Sequence, residues 1–230
     1  MHRQRNHSMN PNIQLLSQTG MFSGISAPDI ERLLSCTGAR TVEYPRESVI
    51  IDEGRTVTEF GVLLRGGGRS YRTDACGRTI AITLLKPGSE TGVILAASRE
   101  HRSPVSVEIL KDSAILFLSY ERLMESCARN CRCHKLLIRN FTGIVAEKGL
   151  VLHERLDCLL KPTVREKIMT YLSRISAQQG SRTFSIPLDR NAMAEYLNTD
   201  RSALSRELSR MKDEGLIDFY KNTFSLTKPQ

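Results

Sequence analysis

With 230 residues, 40% of them hydrophobic, the chain can build one large or two modest domains and is too apolar for a disordered protein. A formal net charge of +8 favours polyanionic partners by long-range attraction, without choosing among DNA, RNA and anionic lipid. No apolar run approaches the roughly 20 residues of a membrane span, and no apolar signal core follows the basic start Met1-His2-Arg3-Gln4-Arg5. The expected compartment is therefore the cytoplasm, with no membrane partner and the six cysteines reduced.

Residues 1–20 are polar, then weakly helical. Residues 39–119 carry short apolar cores at Val42, Val49-Ile50-Ile51, Phe60 to Leu64, Ile80-Ala81-Ile82 and Ala114 to Leu118. Breaks are expected at Glu53-Gly54, Gly66-Gly67-Gly68, Cys76-Gly77 and Lys86-Pro87-Gly88-Ser89. Short strands with regular turn signals predict a β barrel or jelly roll.

From Tyr120 to about Leu160 there is no proline, and apolar residues recur at Leu123, Leu137, Phe141, Ile144, Val151 and Leu152. This predicts one long helix whose seam (Leu137, Phe141, Ile144, Val151) either joins two copies of the chain or packs on its own barrel. Lys161-Pro162 ends it at a natural hinge, and a further helix spans roughly Val164 to Gln178, closed by Gln179-Gly180-Ser181.

The informative stretch follows. Asp189 is a good N-cap, Met193 and Leu197 share a buried face, and Asn198-Thr199 makes a tight turn. Asp200 is expected to cap the next helix, in which Leu204, Leu208 and Met211 point one way and Arg201, Ser202, Ser205 and Arg206 the other. Two short helices joined this way form a helix-turn-helix. A recognition helix presents polar side chains near its N-terminus to the major groove, where arginine reaches guanine bidentately and serine reaches bases or phosphate. Gly215 to Tyr220 and Thr223 to Leu226 alternate as a hairpin around Lys221-Asn222, the shape of a wing carrying an exposed lysine.

Asp200 to Leu208 followed by Glu214-Gly215-Leu216-Ile217 resembles the recognition helix and the start of the wing in the Crp/Fnr family of transcription regulators. Leu84 to Gly88 and Arg102-Ser103-Pro104 resemble that family's cyclic-nucleotide-type pocket loop, and Ala114 to Tyr120 its last barrel strand. The resemblance covers most of the chain. It implies an α+β fold: a cyclic-nucleotide-binding-type β jelly roll with an N-terminal helical segment (1–119), a dimerisation helix (120–160) and a winged helix-turn-helix (161–230). It implies a homodimer on a palindromic DNA operator, with RNA polymerase as a further partner. Base contacts carry over to Arg201, Ser202 and Arg206, with Ser205, Asp200 and Lys221 beside them. Ser202 stands where the family usually has glutamate, so a different half-site preference follows.

For the effector, the resemblance points to Gly92, Val93, Arg102 and Ser103. The family pattern Gly-Glu-Leu is here Gly92-Val93-Ile94, so the acid that would hold a ribose is missing, which argues against cAMP. The effector is otherwise unidentified and is expected in the barrel or at its junction with the long helix. Cys127, Cys131 and His134, with Cys133, fall at i, i+4 and i+7 if the stretch is helical, a set suited to metal or redox chemistry; the alternative is that these side chains pack the helix. No phosphate loop with lysine, nucleophile elbow or paired-His motif occurs, so an enzyme is not expected. The rival reading is a cyclic-nucleotide-type module regulating a protein partner; the recognition helix and wing argue against it.

Overall fold

The continuous apolar runs Phe60 to Leu64 and Ala114 to Leu118 become strands here because both of their faces are covered. The computed structural model describes residues 11–73, 76–77, 79–125 and 131–227. It separates into two units, residues 1–148 and 149–230.

The first unit begins with α1 (Pro11–Ser17) and α2 (Ala27–Cys36). The strands follow: β1 (Arg40–Tyr44), β2 (Val49–Ile51), β3 (Glu59–Thr73), β4 (Thr79–Leu85), β5 (Glu90–Thr91) and β6 (Ser106–Ser119), with α3 (Val93–Ala97) between the last two. The sheet order is β1-β6-β3-β4, with β2 on β6 and β5 on β3. Along β6, Ala114, Leu116 and Leu118 turn to a core shared with the helices, while Ile115 and Phe117 turn to a second core with Ile51, Leu63 and Val107. The period of two splits one apolar run between two interiors.

The expected break at Gly66-Gly67-Gly68 is not there: β3 runs through it, paired with β6, with register shifts between Leu63 and Gly68. The glycines serve close approach instead. A Cβ on Gly66, which has φ +96°, would lie 2.5 Å from the Asp112 carbonyl oxygen and 2.1 Å from Ser113 Oγ.

The long helix also differs from expectation. Tyr120–Met124 forms a short helix, α4, which ends where Glu125 turns extended at ψ 146°. The long helix α5 is Arg132–Leu160. Leu123 caps this junction with its free carbonyl, which accepts from His134 Nε2 at 2.8 Å. Among the described residues no helix is long and apolar enough to cross a membrane.

In the second unit the last turns of α5 are followed by α6 (Val164–Gln179), β7 (Thr183–Ser185), α7 (Arg190–Tyr196), α8 (Arg201–Asp213), β8 (Ile217–Tyr220) and β9 (Thr223–Leu226). The small sheet has the order β7-β9-β8. The expected jelly roll, long helix and winged helix-turn-helix are all present in that order.

Candidate nucleic-acid interface and effector cleft

Helix α6 starts at a capping box: Thr163 Oγ1 accepts from Glu166 N, and the Glu166 carboxylate accepts from Thr163 N. Asp189 caps α7, its carboxylate accepting from Ala192 N at 2.8 Å. Asn198 turns the chain at φ +46°, a conformation asparagine tolerates. Met193, Ala194 and Leu197 of this hairpin are buried against Leu204, Leu208 and Met211 of α8, with Ile168 and Leu172 of α6 beneath.

That packing leaves Arg201, Ser202, Ser205 and Arg206 exposed on one face of α8. Arg201, Ser202 and Arg206 make no side-chain hydrogen bond or ion pair among the described residues. Their donors are therefore available to a ligand. Ser209 and Arg210 continue the face one turn further; the same four-residue spacing could have shown them in the sequence. Asp200 occupies the N-cap position of α8, but its carboxylate makes no capping hydrogen bond, contrary to expectation. It is exposed, and its carbonyl accepts from Leu204 N in the first helical turn.

Glu207 of α8 and its C-cap Glu214 are tied to α6. Arg165 of α6 donates from Nε to Glu207 at 2.6 Å and forks onto Glu214. The paired carboxylates hold the Arg165 guanidinium well above its ordinary pKa, the Glu214 hydrogen bond contributing most. Nothing local in the sequence points to this tie, because its partners come from separate helices.

The wing is β8 and β9 with Lys221 exposed at its turn. Arg190 lies behind it, over the rings of Phe219 and Phe224. At the other end of the unit, Arg155 of α5 and Arg174 of α6 both lie over the Tyr196 ring, at 5.2 and 5.9 Å. Glu154 faces Arg174 at 3.2 Å. Tyr171, tilted against the Tyr196 ring at 5.2 Å between centroids, has its phenol pushed up to about 12 by burial, with the neighbouring Tyr196 adding to the shift. The end of α5 is thus fastened to the helix-turn-helix.

Two sequence-derived sets are not assembled as expected. Leu137 and Phe141 are fully buried inside their own unit: Phe141 packs on Phe60 at 4.8 Å and on Tyr120 at 5.4 Å between ring centroids. They cannot serve a seam between copies, because the barrel already covers them. Ile144 is half-buried against the same core, whereas Val151 is exposed. The large exposed apolar residues of α5 are Leu150, Val151, Leu152, Leu156 and Leu160.

The metal or redox set fares likewise. Cys127 lies outside the described residues, and Cys131 precedes α5 instead of lying on its face. His134 is buried with Nε2 committed to the Leu123 carbonyl. Cys133 packs against the core. Among the described residues no cluster of His, Cys, Asp and Glu could hold a metal ion.

Of the effector residues, Gly92, Arg102 and Ser103 all border the segment from Gly54 to Phe60, part of which lines a cleft of the barrel. Gly92 has φ +73°, and a Cβ there would stand 2.8 Å from the Glu59 carbonyl oxygen, so its role is close packing. Val93 is in the core. Ser103 is buried with its hydroxyl donating to the Val105 carbonyl at 2.6 Å. Arg102 is exposed and bridges to Thr56 through the backbone. Glu90, two residues before Gly92, faces Lys148 at 3.6 Å. The cleft has a volume of about 430 Å³ and is lined by Ile51, Asp52, Arg55, Glu59, Thr91 and Phe117 among others. The sequence did not single these residues out, since none carries a motif.

A β jelly roll of cyclic-nucleotide-binding type, a long helix and an exposed Arg/Ser reading helix with a wing define a DNA-binding transcription regulator. Comparison with known proteins agrees. The Crp-like helix-turn-helix domain matches residues 166–230 and the Cyclic nucleotide-binding domain matches residues 41–130. The chain is 26% identical over 120 residues to the transcriptional activator protein FnrA of Stutzerimonas stutzeri (50% of this chain, 48% of FnrA). It is 27% identical over 119 residues to the transcriptional activator protein Anr of Pseudomonas aeruginosa (50% and 47%). It thus spans about half the length of these curated relatives. Among solved structures, the Thermus thermophilus catabolite activator protein aligns over 90% of this chain and 93% of its own, with TM-score 0.55 and 22% identity. CprK complexed with OCPA aligns over 86% and 92%, with TM-score 0.63 and 15% identity. These similarities show the fold. The chain belongs to the Crp/Fnr family of transcription regulators.

Proposed function

We propose that the chain acts as a homodimer on a palindromic operator, recruits or contacts RNA polymerase there, and is controlled by a small effector in its barrel. The observation that carries this reading is the unpaired face of Arg201, Ser202 and Arg206, with Ser205, beside the wing lysine Lys221. Two such helices related by a two-fold axis read two half-sites about one helical turn of DNA apart. Ser202 makes the half-site differ from one read by a glutamate there.

The last turns of α5 supply the dimer contact in this reading. Its seam is Gly149, Leu152 and Leu156, at three- and four-residue spacing, with Val151 and Leu160 beside it. The leucines are more than half exposed in the single chain, and burying one fully is worth about 1.5–3 kcal/mol. The cleft around Arg55 and Phe117 takes the effector; its size is within the usual range for a small-molecule site.

Binding-site selection from random duplex DNA, followed by titration of the selected site, tests the reading. An inverted repeat bound by a dimer supports it. Failure to enrich any sequence, together with specific capture of a cyclic nucleotide, would favour a module that regulates a protein partner. Mass spectrometry under non-denaturing conditions reports dimer and retained effector together.

A further inference from the structure

We propose that Arg190 is a positioning residue for DNA binding, fixing the wing turn so that the Lys221 ammonium meets a DNA phosphate. The inference rests on the reading of Lys221 as a DNA contact.

Arg190 opens α7, outside the wing, yet its guanidinium lies 5.1 Å from the Phe219 ring centroid and 4.9 Å from that of Phe224. One ring belongs to each strand of the hairpin. Its Nη2 donates to the carbonyl of Lys221 at 2.8 Å. Lys221 has φ +52°, in the left-handed region that a lysine adopts only where the surroundings hold it. The next carbonyl, of Asn222, accepts from Ile186 N at 2.9 Å. Both carbonyls of the turn are therefore held from outside the hairpin.

The arrangement is not a by-product of an ion pair. Among the described residues Arg190 has no carboxylate partner, and its Nη1 is buried without a hydrogen bond. Desolvation pulls the guanidinium below its ordinary pKa. Arg190 is half-buried, and withdrawing an unpaired cation part-way from water has a cost that the two aromatic faces and one carbonyl partly offset. Only the planar fork of arginine can cover both rings and still reach the carbonyl; lysine offers a point charge. Asp189, Arg190, Arg201, Lys221 and Asn222 border one open cleft of about 730 Å³, so wing and recognition helix face a common space.

The test uses the full chain and its selected DNA site. The slope of log affinity against log salt is measured for wild type, Lys221→Ala, Arg190→Met, Arg190→Lys and the Lys221→Ala, Arg190→Met double variant. Methionine keeps an unbranched chain over the rings and removes the donor, so the fold is preserved. Loss of one phosphate contact lowers the slope by about 1. The expected result is that each single variant lowers it by about 1, that lysine does not rescue, and that the double variant loses no more than either single. A lower melting temperature for Arg190→Met with an unchanged slope would mean a merely structural role and would overturn the proposal. Additive losses of about 2 would overturn it too, because Arg190 would then meet phosphate itself. An unchanged slope in Lys221→Ala would remove Lys221 from the DNA contacts, and the inference with it. A Lys221→Ala loss with Arg190→Met silent would sink the inference alone.

Discussion

Arg165 forks onto Glu214, Nη1 and Nη2 reaching the two carboxylate oxygens at 2.7 and 2.8 Å. One residue is near the start of α6; the other caps the end of the recognition helix. The recognition helix therefore takes its orientation from α6 at its far end, while its DNA-facing start stays unencumbered. Arg165→Lys is expected to lower both the melting temperature and the affinity for specific DNA several-fold, because an ammonium cannot make the fork. Equal affinity and equal melting temperature would show that the helix is held by its apolar face alone.

Arg206 lies on the exposed face of α8 without an intramolecular partner among the described residues. Arg206→Ala should weaken specific DNA binding by about 1–3 kcal/mol and relax preference at one base pair in each half-site. Selection experiments on the variant check this: an unchanged consensus would remove Arg206 from the reading residues.

Phe141 and Leu156 lie on the same helix with opposite expected fates. Phe141→Ala should destabilise the barrel unit by about 3–5 kcal/mol, since Phe60 and Tyr120 lose their partner. Leu156→Asp should leave the fold intact and produce monomers, because the residue is 52% exposed in the single chain. Thermal melts and sedimentation separate the two effects. A folded monomer from the Phe141 variant would return the seam to that face.

His134 is expected to matter for folding, not for metal. His134→Ala strands the Leu123 carbonyl at the end of α4 and should lose about 1–3 kcal/mol. Zinc added to the wild type should leave its melting temperature unchanged; a marked zinc-dependent rise, absent in the variant, would restore the metal reading.

Alkaline pH should loosen the DNA-binding unit. Burial raises Tyr171 to about 12 from 10.0, and burial also raises the Cys158 thiol above 9.0. The unfolded chain then releases these protons first, so between pH 9 and 12 the folded state binds more protons. Stability is complete below the unfolded values and falls as pH rises, by up to about 1.4 kcal/mol per pH unit for each group titrating. Denaturant melts of wild type and Tyr171→Phe over pH 9–12 check the sign; the variant should lose stability less steeply above pH 10.

The helix-turn-helix was legible in the sequence because its determinants are local. The Asp189 cap, the Asn198 turn and the spacing of Leu204, Leu208 and Met211 lie within a few turns of one another, and the helical period alone assigns the reading face. The jelly roll was legible as a class for the same reason, from turn residues between apolar runs. Tertiary structure decided what those rules leave degenerate. Leu137 and Phe141 have a spacing that suits either a partner copy or the protein's own barrel, and Phe60 on β3 and Tyr120 at the start of α4 took them inward. Gly66 to Gly68 could have ended a strand, yet the nearness of Asp112 and Ser113 on β6 made them a crossing point. His134 looked like a ligand until a carbonyl freed by the break before α5 claimed its proton. Arg165 and Arg190 carried no sequence signal, because the acids and rings that give them work arrive from other elements only when the chain has folded.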